Sequence, residues 1–596
     1  MRIAFITPPL LQPNTPYPAM PVLSGWFRRQ GLQVRQYDFS IRMLLKMLSP
    51  EVLQTACDAA RKMPTDSALD FFIDSIDDYK RTLPHVIAFL QGREPFLEWR
   101  IAARTYLPEG PYFASLDPEG LGQEAEDENL DFLFGKLGTA DKAKYLASLY
   151  LDDVSSFISR TIEPAFQLGK YAERLSVSLP SFDPVLNRLE QDSDSPFDAF
   201  LDEMTTAMLE EWNPDWVALT VPFPDTLYGA LRVARQVRRS SSAKVVIGGG
   251  YVNSELRDMN DRRVYDYVDA VSYDEGFAHL YRTFTGKAEA PAAPEVLAPD
   301  YSDLDLGEYF PVTEVPNPMH RIWTDGRWAK MQLARGCYWH KCAFCDLALD
   351  YICRYVPASP LKIADDMERI VSETGLCGFH FVDEAISPAL VRGLCEEILR
   401  RGLCVTWWGN IRFDKAFTAE LASLMADAGC IAVTGGLECA HDRLLKLMNK
   451  GITTECAHAV MRNFREAGIM VHAYLMYAFP TETVQEAVQA LDFVRGCFAE
   501  GILQSAFWHR FALTAHSSIA RNPGQFGIEL LPDAPDAGRP LFARNEIGYI
   551  EKGAPDWGRI GPCLETAVYN FMQGRGLDVP ARKWISTKVR GNVQKG

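Results

Sequence analysis

Between residues 329 and 513 short apolar runs alternate with amphipathic stretches, and this pattern constrains the fold more than any other feature of the chain. The runs are Ala329–Cys337, Gly378–Ala385, Cys404–Ile411, Cys430–Leu437, Met470–Ala478 and Gln504–Leu513. Helical spacing fills the gaps, as at Pro360–Glu373, Pro388–Arg400, Ala419–Ala428, Cys456–Ala467 and Val484–Phe498. Consecutive βα units of this kind predict a parallel barrel, partial or complete, over residues 320–515. The period also occurs at the start of the chain. Arg2–Thr7 reads as a buried strand, Met20–Arg29 as a helix and Leu32–Asp38 as a second strand. It returns at Trp216–Val221, Thr226–Arg239, Lys244–Tyr251 and Asp269–Tyr273. These segments predict a parallel doubly wound sheet within residues 1–286, interrupted by a helical insertion at about 41–208. The Ala- and Pro-rich stretch KAEAPAAPEVLAPD predicts a linker over 287–319. Residues 516–596 form an extension whose pattern specifies no fold.

Charge and composition narrow the function classes. The chain has 596 residues, 47% hydrophobic and 23% charged, with a net charge of −17. Such a chain can fill several cores and gives no signal for long disorder. It is a poor general binder of nucleic acid or of an anionic membrane. No run of apolar residues is long enough for a membrane-spanning helix. The only early apolar run, Ile3–Ile6, is too short for a signal peptide. The expectation is a cytoplasmic protein that engages neither nucleic acid nor membrane. Thirteen cysteines spread through apolar segments argue against a disulfide framework in a reducing compartment.

Three of those cysteines differ from the rest. Residues 335–346 read RGCYWHKCAFCD, which sets Cys337, Cys342 and Cys345 in a C-x4-C-x2-C pattern directly after the first barrel strand. Chance would give that spacing about 0.006 times in a chain of this cysteine content. Three thiolates on one loop suit a four-iron cluster, whose fourth iron is left open for another ligand. A structural zinc site is the alternative. It usually wants a second ligand pair, and only His340 and Cys353 are near.

The loop resembles that of the radical S-adenosylmethionine (SAM) enzymes, whose usual motif is C-x3-C-x2-C with an aromatic before the last cysteine. Phe344 supplies that aromatic, and the chain departs by one extra residue among Trp339, His340 and Lys341. The resemblance implies a 4Fe-4S cluster on the three cysteines and SAM at the ends of successive strands. Asp383 and Glu384 in FHFVDEAI are placed for the methionyl amino group. In WWGNIRFD, Arg412 is placed for the SAM carboxylate and Asn410 for ribose or amine. Glu438 in GGLEC matches a G-x-E pattern, and YAFPTET, with Ala478 and Pro480, matches the segment along the adenine.

The order of the two parts resembles the cobalamin-binding subfamily, including class B radical SAM methyltransferases. The matching segments are IAFITPPL, WVALTVPFPDTLYGALRVAR, VVIGGGY and VDAVSYDEGFAHL. Pro8, Thr220, Pro222, Gly248, Gly249, Gly250, Glu275 and Gly276 are then the candidate cobalamin contacts. No D-x-H-x-x-G motif occurs, so no histidine is placed to ligate cobalt.

The resemblance implies an α/β protein: an amino-terminal Rossmann-like domain of the cobalamin-binding type with a helical insertion, a partial (β/α)6 radical SAM barrel and a small carboxy-terminal extension. The expected function is cobalamin-dependent methyl transfer to an unactivated carbon or to phosphorus. The expected substrate is a small metabolite or a peptide natural product, and the expected electron donor resembles flavodoxin or ferredoxin. Trp408, Tyr474, Tyr477 and His509 are pocket candidates, with Trp407, Trp508 and His516 as further aromatic and histidine residues near the mouth. Other radical chemistry on the same scaffold, and a metal-binding regulatory module without turnover, are the competing readings.

Overall fold

The computed structural model describes residues 1–64, 66–116, 138–168, 181–191, 195–315, 317–324, 326–532 and 540–586. Parts of the insertion and of the carboxy-terminal extension therefore lie outside the described residues. The chain divides into two compact units. One comprises Met1–Ala293, Pro299–Arg327 and Pro540–Ala543; the other comprises Pro294–Ala298, Trp328–Arg539 and Arg544–Gly596.

The first unit is built on five parallel strands: β1 (Arg2–Thr7), β2 (Gln33–Asp38), β3 (Trp216–Thr220), β4 (Lys244–Gly248) and β5 (Ala270–Val271). Their spatial order is β2-β1-β3-β4-β5. The chain winds outward from β1 in one direction and returns to wind in the other, so β1 and β3 flank the switch point of the sheet. Their near-continuous burial is what a sheet covered on both faces requires.

The described part of the insertion is helical, as its spacing predicts. It begins at Phe39–Met47, where Asp38 caps the helix by accepting from the Ser40 and Ile41 N–H groups. Its longest helix, Thr139–Thr161, is buried on all sides from Tyr145 to Leu151, as expected of a helix at the centre of a bundle.

Residues from Pro299 onward pack into the first unit: the Tyr309 hydroxyl donates to Asp38 Oδ2 at 2.7 Å, and Phe310 is fully buried. The Ala/Pro bias ends near residue 298. Beyond it Tyr301, Tyr309 and Phe310 supply apolar area worth burying.

The second unit carries a six-stranded parallel sheet: β6 (Ala329–Met331), β9 (Gly378–Phe381), β10 (Thr406–Ile411), β11 (Cys430–Glu438), β12 (Met470–Tyr477) and β13 (Ser505–Arg510). The strands follow one another in space, and among the described residues β6 and β13 do not pair. This is the expected partial (β/α)6 barrel. Ser387, Thr418, Thr453 and Thr483 cap the helices after β9 to β12, the last in a reciprocal capping box with Glu486. The expected strand Ala329–Cys337 is broken. Beyond Met331 the Leu333 and Ala334 N–H groups donate to the Asp383 carboxylate, and β7 (Ala334–Arg335) turns away to pair antiparallel with β8 (Val356–Pro357). Past the barrel, β14 (Ile528–Leu530) pairs with β15 (Tyr549–Glu551), and the helix Trp557–Met572 packs on β13.

Candidate functional site

The antiparallel pair β7–β8 closes the base of the loop that carries the three cysteines. Gly336 stands at φ +73°, and a Cβ there would strike the Arg354 carbonyl. The loop is tied by the Cys337 N–H to Ile352 O, the Ala343 N–H to Met448 O and the Cys345 N–H to Cys342 O. Cys342 is buried, whereas Cys337 and Cys345 are partly accessible. A hydrogen bond with the Cys345 thiol, assisted by the positive charges of Lys450 and Arg412, pushes the Cys342 pKa down to about 6 and favours its thiolate. Among the described residues no group of His, Cys, Asp or Glu converges on one metal ion. In a four-iron cluster each thiolate holds a separate iron, so the ligands need not meet at one point. Cys353 is exposed.

The expected SAM contacts divide by what they already do. Asp383 is buried and accepts from Leu333 N–H at 2.9 Å and Ala334 N–H at 2.7 Å, which fixes the strand that leads into the cysteine loop. Burial raises its pKa to about 7. Glu384 is reached by solvent, yet it stands among enough protein that desolvation raises its carboxyl above the usual range. Of the two, Glu384 is the one whose carboxylate opens to a ligand.

Asn410 donates to the Asp383 carbonyl at 3.0 Å and accepts from the Thr434 hydroxyl. Glu438, at φ +57°, receives Lys450 Nζ at 2.6 Å with both side chains buried. Arg412 is buried against Cys342 and the Trp339 ring. Ala478 is at φ +62° and Thr481 at φ +69°, in a turn that Glu482 holds by accepting from Phe479 N–H at 3.1 Å. The left-handed conformation at 478 is the one glycine adopts without strain, and the resembling segment has glycine there.

Alternation along the strands decides the pocket candidates. His380, Trp408, Asn410, Thr434, His472 and Ser505 share one face of the sheet in direct register. On that face the His380 and Trp408 rings stack at 3.5 Å, and Tyr474 and His509 lie with ring centroids 6.2 Å apart. Tyr474 is 39% exposed, so a ligand can reach it. Tyr477 lies on the opposite face, an odd number of residues from Tyr474. Its hydroxyl meets Glu565 at 3.2 Å beneath the last long helix, so it does not line the pocket. Trp407 also faces outward, with its indole N–H on Ala428 O at 2.8 Å. Spacing alone gave no reason to single out His380 or Lys450. The signals were a polar residue inside the apolar FHF and a lysine between two turn residues, Asn449 and Gly451.

In the first unit the switch-point residues are packed together. Val221 N–H donates to Gly248 O at 2.6 Å, and Tyr251 N–H donates to Val221 O at 3.1 Å. Gly249, at φ +114°, has Val221 N and O 2.8 Å from where a Cβ would stand. The close approach that this glycine permits is therefore made by the protein's own backbone. Pro8 and Pro222 are buried, Gly248 is half-buried and Gly250 is exposed; the Thr220 hydroxyl is buried without a hydrogen-bond partner. Glu275 is exposed, and Gly276 starts the helix Phe277–Thr285 in the left-handed conformation. In that helix His279 Nδ1 lies 3.0 Å from Ser272 Oγ, and burial pushes its pKa down.

The second unit is thus a parallel α/β barrel that presents three cysteines on the loop after its first strand. Residues 331–494 match the sequence profile of the Radical SAM superfamily, so this segment is a radical SAM domain. An uncharacterised methyltransferase of Pyrococcus horikoshii is 23% identical over 48% of the chain and 65% of its own length. An anaerobic magnesium-protoporphyrin IX monomethyl ester cyclase of Rubrivivax gelatinosus is 25% identical over 50% and 58%. The chain thus spans about 65% and 58% of these relatives. Among solved structures, the radical SAM methyltransferase TsrM of Kitasatospora setae aligns at 18% identity over 65% of the chain and 91% of its own, with a TM-score of 0.43. No helix among the described residues is long and apolar enough to cross a membrane.

Proposed function

We propose that this chain is a cobalamin-dependent radical SAM enzyme that transfers a methyl group to an unactivated carbon, or to phosphorus, of a small metabolite or peptide natural product. The observation that carries the reading is the thiol triad on a loop closed at its base, within a radical SAM domain that follows a doubly wound sheet in the same chain. The donor set suits the cluster: the three cysteines stand on one loop, and one of them is biased to thiolate by its hydrogen bond with Cys345 and, secondarily, by two neighbouring cations. When bound, the cluster with SAM supplies hydrogen-atom abstraction and cobalamin supplies methyl-group chemistry.

The chain's own residues then bind and orient. Cys337, Cys342 and Cys345 hold the cluster, and Glu384 offers a carboxylate to the methionyl ammonium. Asn410 and the turn from Ala478 to Pro480 shape the nucleoside wall, while Trp408, Tyr474 and His509 line the substrate side. Asp383 and Glu438 act indirectly, by fixing the strand before the cysteine loop and by neutralising Lys450. In the first unit Pro8, Thr220, Pro222, Gly248, Gly249, Gly250, Glu275 and Gly276 border the edge assigned to cobalamin. Among the described residues the Thr220 hydroxyl there has no hydrogen-bond partner.

Incubating the reconstituted, cobalamin-loaded protein with SAM, a reductant and candidate substrates tests the reading. It predicts 5′-deoxyadenosine and a product heavier by about 14 mass units, one methyl in place of hydrogen. Deoxyadenosine with another mass change would favour radical cyclisation or rearrangement, the reading that the match to the anaerobic cyclase supports.

A further inference from the structure

We propose that Arg412 and Trp339 form a built counter-charge for the cluster, a buried guanidinium sealed against Cys342 by an aromatic ring from the stretch that lengthens the cysteine loop. The proposal rests on the cluster reading above and explains the departure from the shorter motif.

Arg412 is 3% exposed. Its Nη1 lies 3.9 Å from Cys342 Sγ, its Nη2 donates to the Lys450 carbonyl, and the Trp339 ring lies 4.4 Å from its guanidinium. Its buried Nε has no hydrogen-bond partner, and among the described residues no carboxylate stands within ion-pair distance of it. Lys450 beside it differs, being matched by Glu438. Of these two buried cations, only Lys450 is ion-paired among the described residues. Burial of an unmatched charge is costly unless an opposite charge arrives. Thiolates and the cluster they hold are the opposite charge placed to arrive there.

Trp339 is anchored for this role. Its indole N–H donates to Asn449 O at 2.9 Å, its ring fills the space a Cβ at Gly451 would take, and Asn449 Nδ2 donates to Lys341 O at 3.0 Å. The stretch containing the extra residue thus places an aromatic face over the cation and keeps water from it.

One electron supplied by a donor such as dithionite would add one negative charge beside the three thiolates that would hold the cluster. A buried guanidinium 3.9 Å from one of those sulfurs would stabilise the more negative form over the oxidised one, and so would raise the reduction potential. Arg412 is in this account a positioning and tuning residue.

The test is an EPR-monitored redox titration of the reconstituted full-length protein, with iron and sulfide measured per chain. Arg412→Gln is expected to keep its iron and titrate at a more negative potential. Arg412→Lys should stay near the parent, and Trp339→Leu should fall between. An unchanged midpoint in Arg412→Gln at full iron content overturns the proposal. If that variant holds no cluster, Trp339→Leu decides, and an unmoved midpoint there overturns it equally. A parent chain that binds no iron overturns the cluster reading itself, an outcome distinct from variants that fail to move.

Discussion

The two parallel sheets of this chain finish their carboxyl edges in opposite ways. At the barrel edge, charged side chains gather: Glu384 open to solvent, Glu438 on Lys450, and Arg412 behind Cys342. At the amino-terminal edge the strands run into prolines and glycines, and the close contacts are backbone on backbone, Val221 against Gly248 and Gly249. The contrast suits two kinds of ligand. A cluster and a charged nucleoside need fixed charges, whereas a large ring system such as cobalamin is held mainly by shape and main-chain groups.

Removing the charge-bearing groups of the barrel edge should have the largest effects. Cys345→Ala is expected to abolish deoxyadenosine formation while leaving the far-ultraviolet dichroism of the parent; undiminished product would end the cluster assignment. Lys450→Met leaves Glu438 buried and unmatched, and should cost about 3 kcal/mol in urea unfolding, with most of the loss recovered in the double variant with Glu438→Gln.

The amino-terminal edge is sharpened by Gly249→Ala, which forces a Cβ toward Val221 in a conformation only glycine tolerates. About 3 kcal/mol of destabilisation is expected there, with little change in the iron content of the barrel. A mild result would mean that the switch-point backbone is looser than its contacts indicate.

The pH dependence separates Asp383 from its neighbours. Its folded pKa of about 7 lies above the ordinary carboxylate value of 3.8 because burial disfavours the charge. The native state therefore holds a proton that the unfolded chain releases, and stability present at low pH is lost as pH rises from about 4 to 7. Asp383→Asn should flatten the unfolding free energy over that window, measured by urea titration at several pH values. The smallest effect is expected for Ala478→Gly, a gain of about 0.5 kcal/mol from relief of the left-handed conformation, visible in the same titrations.

Much of this molecule was legible in its sequence, because both sheets are parallel and their strands are buried on both faces. Arg2–Thr7, Trp216–Thr220 and the strands from Gly378 onward stand near their expected positions. Boundaries failed where a side chain redirected the backbone: the first barrel strand stops early because Asp383 captures two of its N–H groups. The cysteine triad was plain from spacing, but what neighbouring residues do was not. The strand-end positions of Glu438 and Arg412 suggest contact with a ligand but say nothing of their partners in the protein. Only the fold shows Glu438 matched by a lysine twelve residues on and Arg412 turned toward a thiol. Tyr474 and Tyr477 looked equivalent until the strand register put them on opposite faces.

The central claim is tested most directly by the visible absorption spectrum of the protein purified without oxygen from cells supplied with cobalamin. The account predicts an iron–sulfur band with corrinoid bands superimposed. A colourless protein would contradict it, and a cluster band without corrinoid would contradict the role assigned to the amino-terminal sheet.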